Sequence, residues 1–191
     1  MYTLIPYFGL DGVRAMIFVD GENLAIRFGA FLRDRGLCPR PEVAYVPDVY
    51  VWHPLLGDRG VIAGGALLRT HYYTVVQGDH PAVDQVADSL KTAGIGAPRV
   101  FKKARGGRSK RVDISLATDM LTHAFRRNYD IAVLVAGDED YVPLVGAVQA
   151  EGRGVHVWFL GDAVSPNLVR AADRYVDIGD LLAEACPQAG Q

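Results

Sequence analysis

The amino-acid sequence predicts an α/β fold, a three-layer α/β/α sandwich with a mostly parallel central sheet. Three observations carry this expectation. Short continuous apolar runs, "AMIFVD" and "DIAVLVAG" foremost, have the pattern of strands buried on both faces. Segments with helical spacing of apolar residues stand between such runs. The two kinds alternate along the chain, as crossovers between parallel strands require.

The elements follow in order. "AMIFVD" is the first strand, and "NLAIRFGAFLRDRG" after it is a helix stopped by glycine. Residues 37–65 are rich in proline, glycine and aromatics without a clear period, and read as an irregular insertion holding a short helix or hairpin. "ALLRTHYYTVV" is a strand, "PAVDQVADSLKTAG" a helix and "PRVFKK" a strand that runs into a basic loop. "VDISLATDMLTHAFRRN" is a helix with Leu116, Ala117, Met120 and Ala124 on one face, and "DIAVLVAG" is a buried strand. Then come "YVPLVGAVQAEG" as helix, "GVHVWFL" as strand, "SPNLVRAADR" as helix, "YVDI" and a short terminal helix. No internal repeat or linker interrupts the series, so residues 1–191 read as one domain, with "PQAGQ" a frayed tail.

The chain has 191 residues, half of them hydrophobic, enough for a single core. No run approaches the ~18 apolar residues of a membrane span, and the first residues lack the basic start and cleavage site of a signal peptide. A cytoplasmic location is the default expectation. Cys38 and Cys186 stand far apart in sequence and read as two reduced thiols. The net charge of −2 gives no general attraction for nucleic acid, but its distribution is uneven. Lys102, Lys103, Arg105, Arg108, Lys110 and Arg111 place six of the twenty basic residues within ten positions. Such a run is ordinarily a solvated loop unless something beside it uses the charge.

"LVAGDEDYVPLV" raises that question, because Asp138 and Asp140 stand two positions apart where a turn needs one capping residue. In open parallel sheets, ligands bind at the carboxyl ends of the strands beside the point where strand order reverses. Asp20 ends the first strand and Asp138 follows "IAVLVAG", so both fall on that edge. Neighbouring strands lie ~4.8 Å apart, close enough for two such carboxylates to share an ion. Asp113 sits in the first turn of a crossover helix starting at the same edge, on the face of Leu116, Ala117 and Met120. With Asp140, four acids from three segments converge. Each alone has an ordinary reading, as an N-cap, dipole compensation or a turn, with Asn23 capping the first helix. Together they would repel one another without a cation, and oxygen-only ligands favour Mg²⁺ or Mn²⁺ over zinc. Asp119 lies nearer the polar side of its helix, within reach of His123, and is an outer-shell candidate. The tyrosines and tryptophan at Tyr45, Tyr50, Trp52, Tyr72 and Tyr73 read as packing residues before base-stacking ones.

"IFVDGENL", "KRVDISLATDM", "LVAGDEDYVPLV" and "GRGVHVWFL" resemble, in order and spacing, the NYN domain, in the LabA-like branch of the PIN-like nucleases. "SPNLVRAADRYVDI" is similar to that branch's C-terminal segment, so the likeness runs from about residue 15 to 179. It implies a PIN-like, Rossmann-like fold and divalent-metal-dependent RNA cleavage. Asp20, Asp113, Asp138 and Asp140 match the acidic positions, with Asn23 as an ordering polar residue.

The chemistry so implied is hydrolysis of a phosphodiester by water activated at one metal ion, or two ~3.5–4 Å apart. The basic loop leads directly into Asp113 and would deliver a phosphate backbone there. One alternative is a catalytically silent RNA-binding or scaffold module, arranged as a homodimer through the aromatic insertion. Another is a different Mg²⁺ enzyme, a small phosphohydrolase or a Toprim-like module in which Glu22 plays the catalytic acid. A dinucleotide-binding enzyme would want a glycine fingerprint where "DGENLA" stands.

Overall fold

The structure is a computed structural model that describes residues 12–57, 66–103 and 110–186. Its principal sheet is built from β1 (Arg14–Asp20), β5 (Ala66–Val76), β6 (Ala97–Lys102), β7 (Ile131–Val135), β8 (Gly154–Phe159) and β9 (Arg174–Asp177). Their spatial order is β6-β5-β1-β7-β8-β9, and every ladder in it is parallel. The chain therefore moves outward from β1 in one direction, returns to β7, and moves outward in the other. β1 and β7 are direct neighbours, with Val19 opposite Val135, so the reversal of strand order falls between them.

Alternation along the strands divides the core. Ile17 and Val19 face one layer, where α1 (Gly21–Arg35) contributes Leu24, Phe28 and Phe31 and α2 (His80–Thr92) contributes Leu90. Phe18, Tyr73 and Leu134 face the other, packed against Leu116 and Met120 of α3 (Lys110–Phe125) and Val145 and Val148 of α4 (Val142–Ala150). On α3, Leu116, Met120 and Ala124 are buried, as the spacing predicts, while Ala117 is half-buried. α5 (Pro166–Ala171) joins the second layer through Leu168. Two close approaches fix the carboxyl edge. A Cβ at Gly21 would collide with the Tyr72 ring, and one at Gly137 with the Phe159 ring and the Ala163 carbonyl, so these turns lie against their neighbours only because glycine stands there.

The insertion is more regular than its composition suggests. Before β5 it holds β2 (Leu37–Pro39), a hairpin of β3 (Ala44–Val46) and β4 (Tyr50–Trp52), and a 3₁₀ turn over Pro54–Gly57, while 58–65 lie outside the described residues. Tyr72 holds the hairpin to the sheet: its hydroxyl accepts from the Val51 amide at 3.0 Å and donates to the Val51 carbonyl at 3.1 Å. Tyr50, Trp52, Tyr72 and Tyr73 are buried, and Tyr45 packs edge-on to Phe28, so these aromatics are core residues rather than surfaces for bases.

The cysteine expectation is overturned. After the short helix α6 (Gly179–Leu182), the strand β10 (Ala183–Ala185) pairs antiparallel with β2, and Cys38 and Cys186 form a disulfide across 148 positions, their Cα atoms 5.0 Å apart. Sequence distance had suggested separation, but the chain closes on itself and brings the two thiols together. The expected "PQAGQ" tail, 187–191, lies outside the described residues. Among the described residues, no helix is long and apolar enough to cross a membrane.

Candidate active site

Asp20 is the last residue of β1 and is only 5% exposed. One carboxylate oxygen accepts the Asn23 amide at 3.1 Å, which makes Asp20 itself the N-cap of α1. This corrects the expectation that Asn23 caps the helix. Asn23 instead faces the neighbouring strand end, where its Oδ1 accepts the Gly137 amide at 3.3 Å. The residue expected to order the site thus ties the end of β1 to the turn after β7. The other oxygen of Asp20 accepts the Tyr141 hydroxyl at 2.9 Å. Burial pushes the Asp20 carboxyl up to about 7, against the opposing pull of those two hydrogen bonds and with a further rise from Asp113 and Glu22.

The Tyr141 hydroxyl also lies 3.3 Å from Oδ1 of Asp113, in the first turn of α3. A phenol has a single proton, so it can donate to only one of the two carboxylates at a time. Burial and the two acids hold Tyr141 well above the ordinary phenol range, which keeps that proton in place. Asp113 is exposed at the surface, yet its carboxyl is raised, by desolvation first and then by Asp138, Glu22 and Asp140, with Tyr141 opposing. Asp138 caps the 3₁₀ turn Glu139–Tyr141 by accepting the Asp140 amide at 3.3 Å. Asp138 and Asp140 are both exposed.

Asp20 therefore feels the charge of Asp113 and Glu22, and Asp113 that of Asp138, Glu22 and Asp140, along the carboxyl edge of the sheet. The described residues contain no ready-made group of three His, Cys, Asp or Glu side chains placed to hold a metal ion. The donor chemistry still suits a hard divalent cation: the atoms offered are carboxylate oxygens, one of them buried at a cost that a cation would remove. Tyr141 and Glu22 complete the neighbourhood. Tyr141 was not foreseen, although a tyrosine directly after "GDED" at the start of an apolar helix needs a partner for its hydroxyl once buried. Glu22 lies against Lys103, Nζ to Oε1 2.7 Å, so the start of the basic segment touches the site.

Of the other basic residues, Lys102 and Arg111 are exposed. Arg105 and Arg108 lie outside the described residues, as does the Lys110 side chain. Asp119 is elsewhere: it accepts the Tyr73 hydroxyl at 2.7 Å and pairs with Arg99 at 3.0 Å. Its charge acts on His71 and His123 beside it, not on the acidic edge.

The sheet is parallel throughout with acidic residues at its switch point, and "DGENLA" after β1 carries no dinucleotide-binding glycine fingerprint. The NYN domain matches residues 14–179, and the chain belongs to that family, within the PIN-like nuclease superfamily. Among solved structures, the crystal structure of a protein of unknown function from Vibrio parahaemolyticus is similar, with a TM-score of 0.65 at 18% identity over 90% of this chain and 96% of that one. That likeness is one of fold. No curated protein matches the chain.

Proposed function

We propose that the protein is a divalent-metal-dependent ribonuclease of the LabA-like branch, hydrolysing RNA phosphodiester bonds at the edge where Asp20, Asp113 and Asp138 meet. The observation that carries the reading is Asp20, buried at the switch point with its carboxyl raised to about 7 and joined to Asp113 through a single phenolic proton. That arrangement is costly without a cation and relieved by one.

Asp20, Asp113 and Asp138, with Asp140 beside them, would hold Mg²⁺ or Mn²⁺. When bound, the ion supplies an acidified water and polarises the phosphoryl oxygen. Asn23 fixes the Asp138 turn to the end of β1 through Gly137. Tyr141 keeps Asp20 and Asp113 at a set separation. Glu22 draws Lys103 to the edge, and the rest of the segment to Arg111 attracts the phosphate backbone. No protein nucleophile is required.

The test is cleavage of labelled single-stranded and structured RNA with Mg²⁺ or Mn²⁺, against an EDTA control and an Asp138→Asn variant prepared identically. Metal-dependent cleavage lost in the variant supports the reading. RNA binding without turnover would make the protein the silent RNA-binding module, and cleavage confined to DNA would move it to the Toprim-like alternative.

A further inference from the structure

On the side of the acidic edge away from the basic segment lies a cavity of about 420 Å³. It opens between α1 and the turns after β7 and β8, and its lining includes Asn23, Arg27, Gly137, Asp138, Asp162 and Ser165. Its volume falls within the ~300–1,000 Å³ of small-ligand sites. Its walls are mostly polar side chains and backbone, so a lipid or an apolar ligand would leave those groups without partners. Asp138 belongs both to this cavity and to the proposed catalytic edge. An occupant therefore lies directly beside the reacting phosphate.

The charges in the lining are unequally engaged. Asp162 pairs with Arg35, and Glu139 accepts Asn167 Nδ2 at 3.1 Å and Ser165 Oγ at 3.4 Å. Arg27 is the one cation in the lining, is exposed, and forms no ion pair among the described residues. A guanidinium in such a place matches a phosphodiester oxygen pair in geometry and charge.

Strand order sets the direction of the track. The basic segment leaves β6, Asp20 ends β1, Asp138 follows β7, and the cavity lies toward β8. From β6 to β8 the sheet spans four strand spacings, about 19 Å at ~4.8 Å each. A strand held at both ends must cross the carboxylates between them. We infer that the cavity is the subsite for the nucleotide flanking the scissile phosphodiester on the side away from the basic segment, with Arg27 as the positioning residue that holds its phosphate. This rests on the RNA-cleaving reading of the edge.

The test uses the full chain and short single-stranded RNA carrying one neutral methylphosphonate, moved one linkage at a time past the cleavage point. Wild type should lose about tenfold in kcat/KM at one linkage next to the cleaved one, the scale of a charge-assisted hydrogen bond. Arg27→Gln should lose as much on unmodified RNA and lose nothing further at that same linkage. Its single-turnover rate at saturation should stay within about threefold, since a contact made equally in ground and transition states acts on KM. Its salt slope should fall by about 0.7, and Arg27→Lys should restore it. A merely structural role for Arg27 would move neither the salt slope nor one particular linkage.

Unchanged affinity in Arg27→Gln, or losses that multiply at every linkage, would overturn the subsite while leaving the metal-dependent reading intact. If wild type binds RNA, read by anisotropy in EDTA, yet never cleaves it when Mg²⁺ or Mn²⁺ is supplied, the hydrolytic reading falls. The linkage-specific coupling to Arg27 in that binding assay then decides the subsite by itself.

Discussion

Replacing Asp20 by Asn should stabilise the metal-free protein, and by an amount that depends on pH. The substitution keeps the contacts of the site: Asn is as good an N-cap as Asp, so the Asn23 amide retains its acceptor, and the new amide can donate to the Tyr141 oxygen while Tyr141 turns its proton to Asp113. What it removes is a buried ionisable group whose folded value is about 7. Against an unfolded value of ~3.9 the difference is about 3 units, or about 4 kcal/mol. The folded state holds the proton more tightly, so wild-type stability is complete below ~pH 4, falls as pH rises, and reaches its full deficit above about 7. In EDTA at pH 8.5, the Asp20→Asn variant should thus melt ~8–16 °C above wild type, taking ~2–4 °C per kcal/mol for a chain of this size. At pH 5 the advantage should shrink to about 1.5 kcal/mol, because only the interval above ~3.9 has then been crossed. Saturating Mn²⁺ should reverse the order, since only the wild type keeps the full ligand set. Thermal melts at the two pH values, each in EDTA and in Mn²⁺, are the assay. A gap that is the same at both pH values, or a less stable variant at pH 8.5 in EDTA, would refute the claim that a buried charge strains this edge.

Three further outcomes are expected. Tyr141→Phe leaves Asp20 and Asp113 without their shared donor, and should destabilise the protein in EDTA by about 1–3 kcal/mol, less so in Mn²⁺, as denaturant titrations would show. Lys102, Arg108 and Arg111 changed together to Gln, with Lys103 kept because it pairs with Glu22, should flatten the salt dependence of RNA binding by about 2.1 in slope, at ~0.7 per lost contact; an unchanged slope would make the segment a solvated loop. Cys38→Ser with Cys186→Ser should lower stability by about 2–4 kcal/mol against oxidised wild type and be neutral against reduced wild type. A reducing cytoplasm would keep that pair open, so thiol trapping in cells tests the expected location directly.

The sequence is legible here wherever a local pattern has one spatial consequence. "AMIFVD" and "DIAVLVAG" are buried on both faces, and a parallel sheet is the arrangement that covers them, which is why the two strand ends and their acids could be set side by side from sequence. Asp113 follows by the same logic, because a crossover helix must begin at that edge. Legibility fails where the consequence depends on a distant partner. Tyr141 looks like one more apolar residue of a helix, and only the convergence of β1, α3 and the β7 turn makes its hydroxyl the link between two carboxylates. Cys38 and Cys186 are read apart for the same reason: their meeting depends on a three-residue ladder formed after the whole sheet has closed. Asn23 and Asp20 exchange roles because the capping rules admit either residue type, and packing decides between them. With Tyr72 pressed against Gly21, the helix begins immediately after Asp20, so the Asp20 side chain accepts a free amide of the first turn, that of Asn23, and the Asn23 side chain is left to reach the next strand. The acid that would bind a cation is thus also the one that starts the helix. A carboxylate so fixed by backbone on one side and Tyr141 on the other presents its charge in one direction, which is the preorganisation that hydrolysis at this edge would require.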